Sequence, residues 1–180
     1  DAFSYPGPMT RPFTLDVASA LLRVRERDPL IHAFVTLRLE EAAAEAARRA
    51  AERPRSELHG VPYGLKDEWD TAGLRTTGGS WRHRDRTPSV SNPVHEVFEA
   101  AGAVLVGKTN LSDLGLPPEA TSYVGGATRN PWDLRRTAGG SSGGAAAAVA
   151  DGQVAFDRAP TSAGASGSPR PSAACSASSS

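Results

Sequence analysis

One stretch of sequence decides the fold prediction: Gly60-Val61-Pro62-Tyr63-Gly64-Leu65-Lys66-Asp67. Its centre, Val61 to Leu65, is short and mostly apolar and follows a glycine, which is typical of a buried β-strand. Such a strand delivers Lys66 and Asp67 to its carboxyl end. In sheets of α/β proteins, binding sites form at that end, so this stretch also predicts where a site lies.

Two helices are predicted before this strand. Thr14 is a candidate cap for a helix whose apolar residues recur every three to four positions over 17–24, and Pro29 is predicted to close it. An alanine-rich stretch, residues 37–53, predicts a second helix that ends before Pro54. We interpret the second helix as a packed scaffold element.

A helix and a strand are predicted after it. Asn92 can cap a helix that has Pro93 at its first position and ends at Gly102, and residues 103–106 then predict a strand. Helices that alternate with strands favour an α/β layered fold over a bundle or a sandwich.

Composition excludes few classes of function. Lys plus Arg is 20 and Asp plus Glu is 20, so charge gives no indication of a nucleic-acid or anionic-membrane partner, and a small neutral partner fits best. The lone Cys175 cannot form an internal disulfide, and the first residues lack the pattern of a signal peptide, which predicts a cytoplasmic location. The longest apolar run, 145–150, is too short to span a bilayer, so no membrane association is expected. Translation from Met9 and a longer parent chain both stay open.

The last 24 residues differ in character from the rest. Residues 157–180 contain eight Ser and six Ala but no Leu, Ile, Val or aromatic residue. Such a composition cannot supply a core and is typical of a disordered tail.

Two motifs indicate functions that their context opposes. Residues 102–109 fit the phosphate-loop pattern, but the residues between the two glycines are themselves a predicted strand, whereas a phosphate loop needs its strand before the first glycine. Residues 140–144 fit the nucleophile-elbow pattern with Ser142 at the centre, which requires a later histidine. All four histidines lie upstream and lack metal-ligand spacing: His32, His59, His83 and His95.

A third constellation pairs residues 60–67 with Ala138-Gly139-Gly140-Ser141-Ser142-Gly143-Gly144. A serine hydroxyl becomes a good nucleophile when a neighbour removes its proton, and a buried lysine amine can do so while it is neutral. The glycine pairs around Ser141 let backbone approach a substrate closely. Together the two stretches predict a lysine-activated serine site.

These segments resemble the amidase-signature family, whose members hydrolyse amides with a Ser-cisSer-Lys triad. The resemblance runs from about Phe13 to Phe156, with 1–12 as an N-terminal extension. It implies a mixed central β-sheet covered by helices, incomplete in this chain. It also implies that Lys66 is the triad lysine and that Ser141, after a cis peptide bond, is the bridging serine, with Gly139, Gly140, Ser142 and Gly143 supporting the substrate loop. Asp113 stands where many members have Glu. The shared segments are 60–67, 77–80, 101–103, 107–110, 130–133 and 139–144.

The nucleophilic serine of the family is absent at its expected place. It would lie about two dozen residues after Ser141, near Ala165, where the neighbours do not match. When codons permitted for Asp157 to Pro169 are read from the third base, they give Pro-Gly-Thr-Asp-Leu-Gly-Gly-Ser-Ile-Arg-Ile-Pro, a family-like segment whose serine falls at position 165. We therefore hypothesise that one base was lost near the codon for Asp157 and that 157–180 is an out-of-frame tail.

The resemblance predicts an amidase that acts on a small-molecule amide and needs no cofactor or metal. This chain is then an inactive fragment of that enzyme. A non-catalytic remnant and, remotely, a phosphate-loop nucleotide binder stay open as alternatives, as does a tRNA-linked amidotransferase role. The oligomeric state stays open too.

Overall fold

The computed structural model describes residues 15–115 and 120–159. Its four helices and the strands of the main sheet alternate along the chain, as the pattern predicts. The helices are α1 (Val17–Ile31), α2 (Leu39–Ala50), α3 (Pro93–Ala101) and α4 (Gly143–Ala150). The strands are β1 (Phe34–Leu37), β2 (Pro62–Lys66), β3 (Val104–Thr109), β4 (Thr121–Ser122), β5 (Gly126–Ala127), β6 (Arg129–Asn130), β7 (Asp133–Thr137) and β8 (Phe156–Arg158). Short 3-10 turns occur at Trp81–His83 and Asp113–Gly115.

Four strands form a mixed central sheet in the order β1-β3-β2-β8. Strand β2 is parallel to both β3 and β8, while β1 is antiparallel to β3. Every residue of β2 and β3 is buried, as expected for central strands covered on both faces. The parallel pairs place the carboxyl ends of β2, β3 and β8 at one edge, which is where Lys66 lies.

The core packs on this sheet in two apolar clusters. The larger one joins side chains of α1, α4 and the sheet, including Val24, Ile31 and Val104. The smaller one surrounds Tyr63, which packs between Phe98 of α3 and Phe156 of β8 at ring-centroid distances of 5.3 and 5.5 Å. Phe156 therefore fixes β8 against β2.

The N-terminal boundaries differ from the sequence prediction. The cap of α1 is Asp16, whose side chain accepts from Ser19 N, and the predicted cap Thr14 lies outside the described residues. Pro29 does not close α1, which continues to Ile31 and ends at His32 in the left-handed conformation. The buried Asp28 carboxylate accepts from Ala33 N at 2.7 Å, so a side chain replaces the backbone bond that would continue the helix.

The predicted helix over 37–53 is shorter than expected and is preceded by a strand that the prediction missed. Phe34–Leu37 pairs with β3, and α2 begins only at Leu39. The predictions around Gly102 are confirmed: Asn92 caps α3, Pro93 opens it and Gly102 ends it with φ 88°. Since β3 occupies Val104–Thr109, the glycines of the phosphate-loop pattern flank or lie within a strand, and its lysine lies within that strand too.

The main sheet reaches into the compositionally distinct tail. Asp157 and Arg158 belong to β8 and pair with Gly64 and Leu65. Residues 160–180, including Ala165, lie outside the described part of the chain, as do residues 1–14. Among the described residues, the helices are too short or too polar to cross a membrane.

Candidate active site

The structure brings Lys66 and Ser141 together although 75 residues separate them. Lys66 Nζ donates to Ser141 Oγ at 3.2 Å, and the lysine side chain is only 2% exposed. Lys66 is the last residue of β2, and Ser141 lies in the turn that precedes α4. The strand end and the glycine turn therefore converge on one buried contact.

The turn around Ser141 has an unusual backbone. The Gly140–Ser141 peptide bond is cis, as the resemblance implies, and Gly139 has φ 77°, a conformation that side chains other than glycine's rarely adopt. Gly143 and Gly144 begin α4 and are buried. A Cβ at Gly144 would collide with backbone atoms of Ala33 and Asn110, so only glycine allows this close approach.

Ser142 precedes α4 at its N-cap position, but its side chain makes no capping hydrogen bond. Its carbonyl accepts from Ala146 N at 3.1 Å. Its backbone therefore contributes to the first turn of the helix.

A turn after β3 fixes the Ser141 loop. Ser112 N donates to Ser141 O at 3.1 Å, and Gly144 N donates to Asn110 O at the same distance. The Asn110 side chain is buried and donates to Gly126 O and Thr128 Oγ1, each at 3.0 Å. These bonds secure the turn on both sides, so Ser141 is held by backbone contacts rather than by its own side chain alone.

Asp67 belongs to a second buried network, which includes Thr77. Its Oδ2 accepts from Thr77 N at 3.0 Å and from Thr77 Oγ1 at 2.5 Å, and Thr77 Oγ1 in turn accepts from Gly79 N. Burial raises the pKa of Asp67, against the opposing effects of Thr77 and of the Lys108 charge. The network anchors the loop over 77–80.

Lys108 is a buried lysine whose role the sequence did not indicate. Its Nζ donates to Trp69 O and Thr76 Oγ1, and more distantly to Thr71 Oγ1. Burial lowers the pKa of Lys108 to about 8, and the Asp67 charge opposes that shift. Lys108 therefore ties β3 to the loop that follows β2.

Two acidic residues near Lys66 also escaped prediction. Glu68 Oε1 lies 3.2 Å from Lys66 Nζ, and the Glu68 side chain is 32% exposed. Asp157 projects over Gly64, where any Cβ would collide with its Oδ2, and both of its carboxylate oxygens are buried without a hydrogen-bond partner among the described residues. Burial raises the pKa of Asp157 to about 7, although the neighbouring Thr109 hydroxyl and the charges of Lys66 and Lys108 act in the opposite direction. Alternation along paired strands could have placed Asp157 on the Lys66 face only once the β2–β8 register was known.

Other predicted or conspicuous groups take no part in this contact. His95 accepts or donates a 2.7 Å hydrogen bond with Tyr63 Oη, and His59 Nε2 contacts Arg49 O. In the described ranges, no three His, Cys, Asp or Glu side chains come together in a way that could hold a metal ion. Asp113 Oδ1 is buried and unpaired by hydrogen bonds within the same ranges.

The geometry defines a class: an α/β protein with a buried lysine–serine pair at the carboxyl edge of a mixed sheet. Comparison with known proteins assigns the family. The family profile described as Amidase matches residues 16–176, and the chain belongs to the amidase family.

Relatives with curated names cover most of this chain but only part of their own length. The amidase-named protein AmiB2 of Mycobacterium tuberculosis is 44% identical over 149 residues, which are 81% of this chain and 32% of AmiB2. A glutamyl-tRNA(Gln) amidotransferase subunit of Prochlorococcus marinus is 43% identical over 137 residues, which are 74% of this chain and 28% of that protein. The chain thus spans about a third or less of the length of these relatives.

Solved structures agree on the fold. The peptide amidase of Stenotrophomonas maltophilia matches with a TM-score of 0.73 at 33% identity, over 78% of this chain and 31% of that one. A 6-aminohexanoate cyclic dimer hydrolase matches with a TM-score of 0.69 at 32% identity, over 77% of this chain and 28% of the other. The amidase-signature fold is therefore present, and it is incomplete in this chain.

Proposed function

We propose that the protein from which this chain derives hydrolyses a carboxylic amide C–N bond, with Lys66 as base and Ser141 as proton-relaying serine. The observation that carries the proposal is the 3.2 Å contact between Lys66 Nζ and Ser141 Oγ, buried at the sheet edge beside the cis peptide bond. A buried amine can act as a base because desolvation penalises its charged form.

The proposed chemistry has two stages. A neutral Lys66 amine takes the proton of the Ser141 hydroxyl, which takes the proton of a nucleophilic serine as that serine attacks the amide carbonyl. The proton then passes to the leaving nitrogen, so ammonia or an amine departs and an acyl-enzyme remains. Water attacks the acyl-enzyme by the same relay and releases the carboxylic acid.

The nucleophile is proposed to come from the segment that follows β8. Since β8 is parallel to β2, the chain beyond Arg158 leaves the sheet at the edge that carries Lys66. Position 165 is close enough in sequence to reach this edge, but it is Ala165 here. We propose that this polypeptide is inactive as written, and that one lost base near codon 157 replaced both the nucleophile and the backbone amides of the oxyanion hole.

Sequencing of the codons for 156–164, followed by restoration of the frame, tests this function. We expect the restored enzyme to label with a fluorophosphonate probe and to release ammonia or amine from small amides. The 180-residue chain should do neither. Lys66→Met and Ser141→Ala should each reduce the restored activity by about 10³-fold or more, whereas the matched Ser142→Ala variant should stay within about tenfold of it. An in-frame gene with no shifted family segment contradicts the frame hypothesis. Unchanged fluorophosphonate labelling in the Lys66→Met and Ser141→Ala variants of the restored enzyme contradicts the triad.

A second candidate is a role within a glutamyl-tRNA(Gln) amidotransferase, which the 43% identity to a component of such an enzyme favours. Amide hydrolysis by the restored protein alone supports the amidase. A strict requirement for further protein components and tRNA supports the amidotransferase.

A further inference from the structure

Among the described residues, the Lys66 amine contacts one neutral group and one acidic group. Its Nζ lies 3.2 Å from the neutral Ser141 hydroxyl and 3.2 Å from the Glu68 carboxylate. The amine is almost fully buried, while about a third of the Glu68 side chain is exposed. Glu68 therefore lies between the buried lysine–serine pair and solvent.

We propose that Glu68 is a positioning residue that holds Lys66 as an ammonium until a ligand bound at the lysine–serine pair displaces the carboxylate. The inference rests on the proposed function and adds how its base is held before a substrate binds. In the held state, the ammonium donates to both Glu68 Oε1 and Ser141 Oγ. To act as a base, Lys66 must first lose one proton to water, and its free lone pair can then accept the Ser141 hydroxyl proton.

The other charges around Lys66 are distinguished from Glu68 by their sign or by their titration. Lys108 has the same sign as the Lys66 ammonium and so disfavours it. The Asp157 carboxylate faces Lys66 from β8, and burial raises the pKa of Asp157 to about 7, so the group is mostly neutral below that pH and must be removed by Asp157→Asn when Glu68 is tested above it. The Glu68 carboxylate is the acid that forms an ion pair with Lys66.

The sequence makes this proposal measurable on Lys66 directly. The chain has only two lysines, Lys66 and Lys108, and both are buried. Amine-reactive labelling followed by peptide mass spectrometry therefore reports on two lysine side chains, which the peptides separate from the α-amino group, and Lys108 serves as an internal reference in the same molecule.

The test compares the 180-residue chain with its Glu68→Gln variant, labelled with trinitrobenzenesulfonate between about pH 6 and 10. Glutamine has the size of glutamate, so access to Lys66 is preserved while the charge is removed. We expect labelling of Lys66 relative to Lys108 to rise about threefold or more at about pH 8, because loss of a partly exposed ion pair leaves the amine free to react. Glu68→Asp, which keeps a charge on a shorter side chain, should give an intermediate ratio, and Glu41→Gln on the exposed face of α2 should change nothing.

Three outcomes overturn the proposal: an unchanged ratio in Glu68→Gln, an equal rise at both lysines, or a ratio in Glu68→Asp that equals that of Glu68→Gln. Repetition in an Asp157→Asn background isolates Glu68 from the second acid, and the effect should persist there. Because the readout does not involve a nucleophile, a failure here leaves the fluorophosphonate test of the amidase function intact. Conversely, a restored enzyme that fails to label leaves the lysine measurement valid.

Discussion

The two lysines of the chain lie on neighbouring parallel strands, Lys66 as the last residue of β2 and Lys108 within β3, and the structure buries both, but their surroundings differ. Lys108 Nζ is surrounded by oxygens of the loop after β2: a carbonyl of Trp69 and the hydroxyls of Thr71 and Thr76. Lys66 Nζ has one hydroxyl, Ser141 Oγ, and one carboxylate that reaches solvent, Glu68. Lys108 is fully satisfied inside the protein, whereas Lys66 has a partner that can be exchanged.

The difference teaches which buried charge serves structure and which is available for chemistry. Removing or deprotonating an ammonium that several fixed acceptors hold costs free energy, because each buried acceptor then loses a donor. An ammonium with one exchangeable acceptor can change its protonation state without breaking the fold. Both lysines lie near the same edge of the sheet, so their position does not distinguish their roles. The number and the solvent exposure of their acceptors do.

The largest expected effect is a difference in stability between Lys108→Met and Lys66→Met. Removal of Lys108 leaves Thr76 Oγ1 and Trp69 O without this donor and takes away one of the two positive charges that act on Asp67, so we expect a loss of about 3 to 5 kcal/mol in the free energy of unfolding. Removal of Lys66 takes away a buried charge whose main partner can turn to water, and should change the free energy by about 1 kcal/mol or less. Urea unfolding of the two variants and the parent measures both values.

Methionine retains most of the lysine's apolar length, so the comparison is matched for packing. If the two variants lose equal stability, the distinction between a structural and an exchangeable lysine is wrong.

A smaller effect is expected at a single acceptor of Lys108. Thr76 Oγ1 accepts from Lys108 Nζ at 2.9 Å, and Thr76→Val replaces that hydroxyl with a methyl group of similar size. We expect a loss of about 1.5 to 3 kcal/mol, the usual range for a hydrogen bond to a charged group, and a near-complete recovery in Thr76→Ser. Thermal unfolding followed by circular dichroism measures both variants. If the valine variant lost no more stability than the serine variant, which keeps the hydroxyl, a stabilising role of this hydrogen bond would be contradicted.

The sequence predicted those features that local residue types determine. The Asn92-Pro93 start and the Gly102 end of α3 follow from capping chemistry, and both are correct. The convergence of Lys66 and Ser141 was predicted because two short motifs were interpreted together, and the structure brings the two side chains into contact. The ends of α3 depend on neighbouring residues, whereas the Lys66–Ser141 contact was predicted from two separate motifs.

The features that the sequence missed depend on tertiary context. Strand β1 is only four residues long, and although Phe34, Val35 and Thr36 are strand-forming residue types, so short a run gives no periodic pattern; its pairing with the distant β3 establishes it. Pro29 lies inside α1 because the helix ends only after Ile31. Its end is set by the left-handed conformation of His32 and by the Asp28 carboxylate, which accepts from Ala33 N. Lys108 and Asp157 become neighbours of the site only through the registers of β3 and β8 on β2.

The smallest expected effect concerns Asp157, the buried acid beside Lys66. Because burial raises the pKa of Asp157 to about 7 from 3.8, the folded state binds this proton more tightly than the unfolded state does. The associated stability is present at low pH and is lost as the pH rises from about 4 through 7. Asp157→Asn removes the titrating group, so it should match the parent near about pH 4 and exceed its free energy of unfolding by about 1 to 2 kcal/mol at about pH 8. Asp28, whose pKa burial raises to about 6, gives both proteins the same background slope, so the difference between the two urea-unfolding curves isolates Asp157. A constant difference across this range would mean that Asp157 is ionised throughout, with Lys66 as its partner, and Lys66 would then share its charge between two acids instead of depending on Glu68.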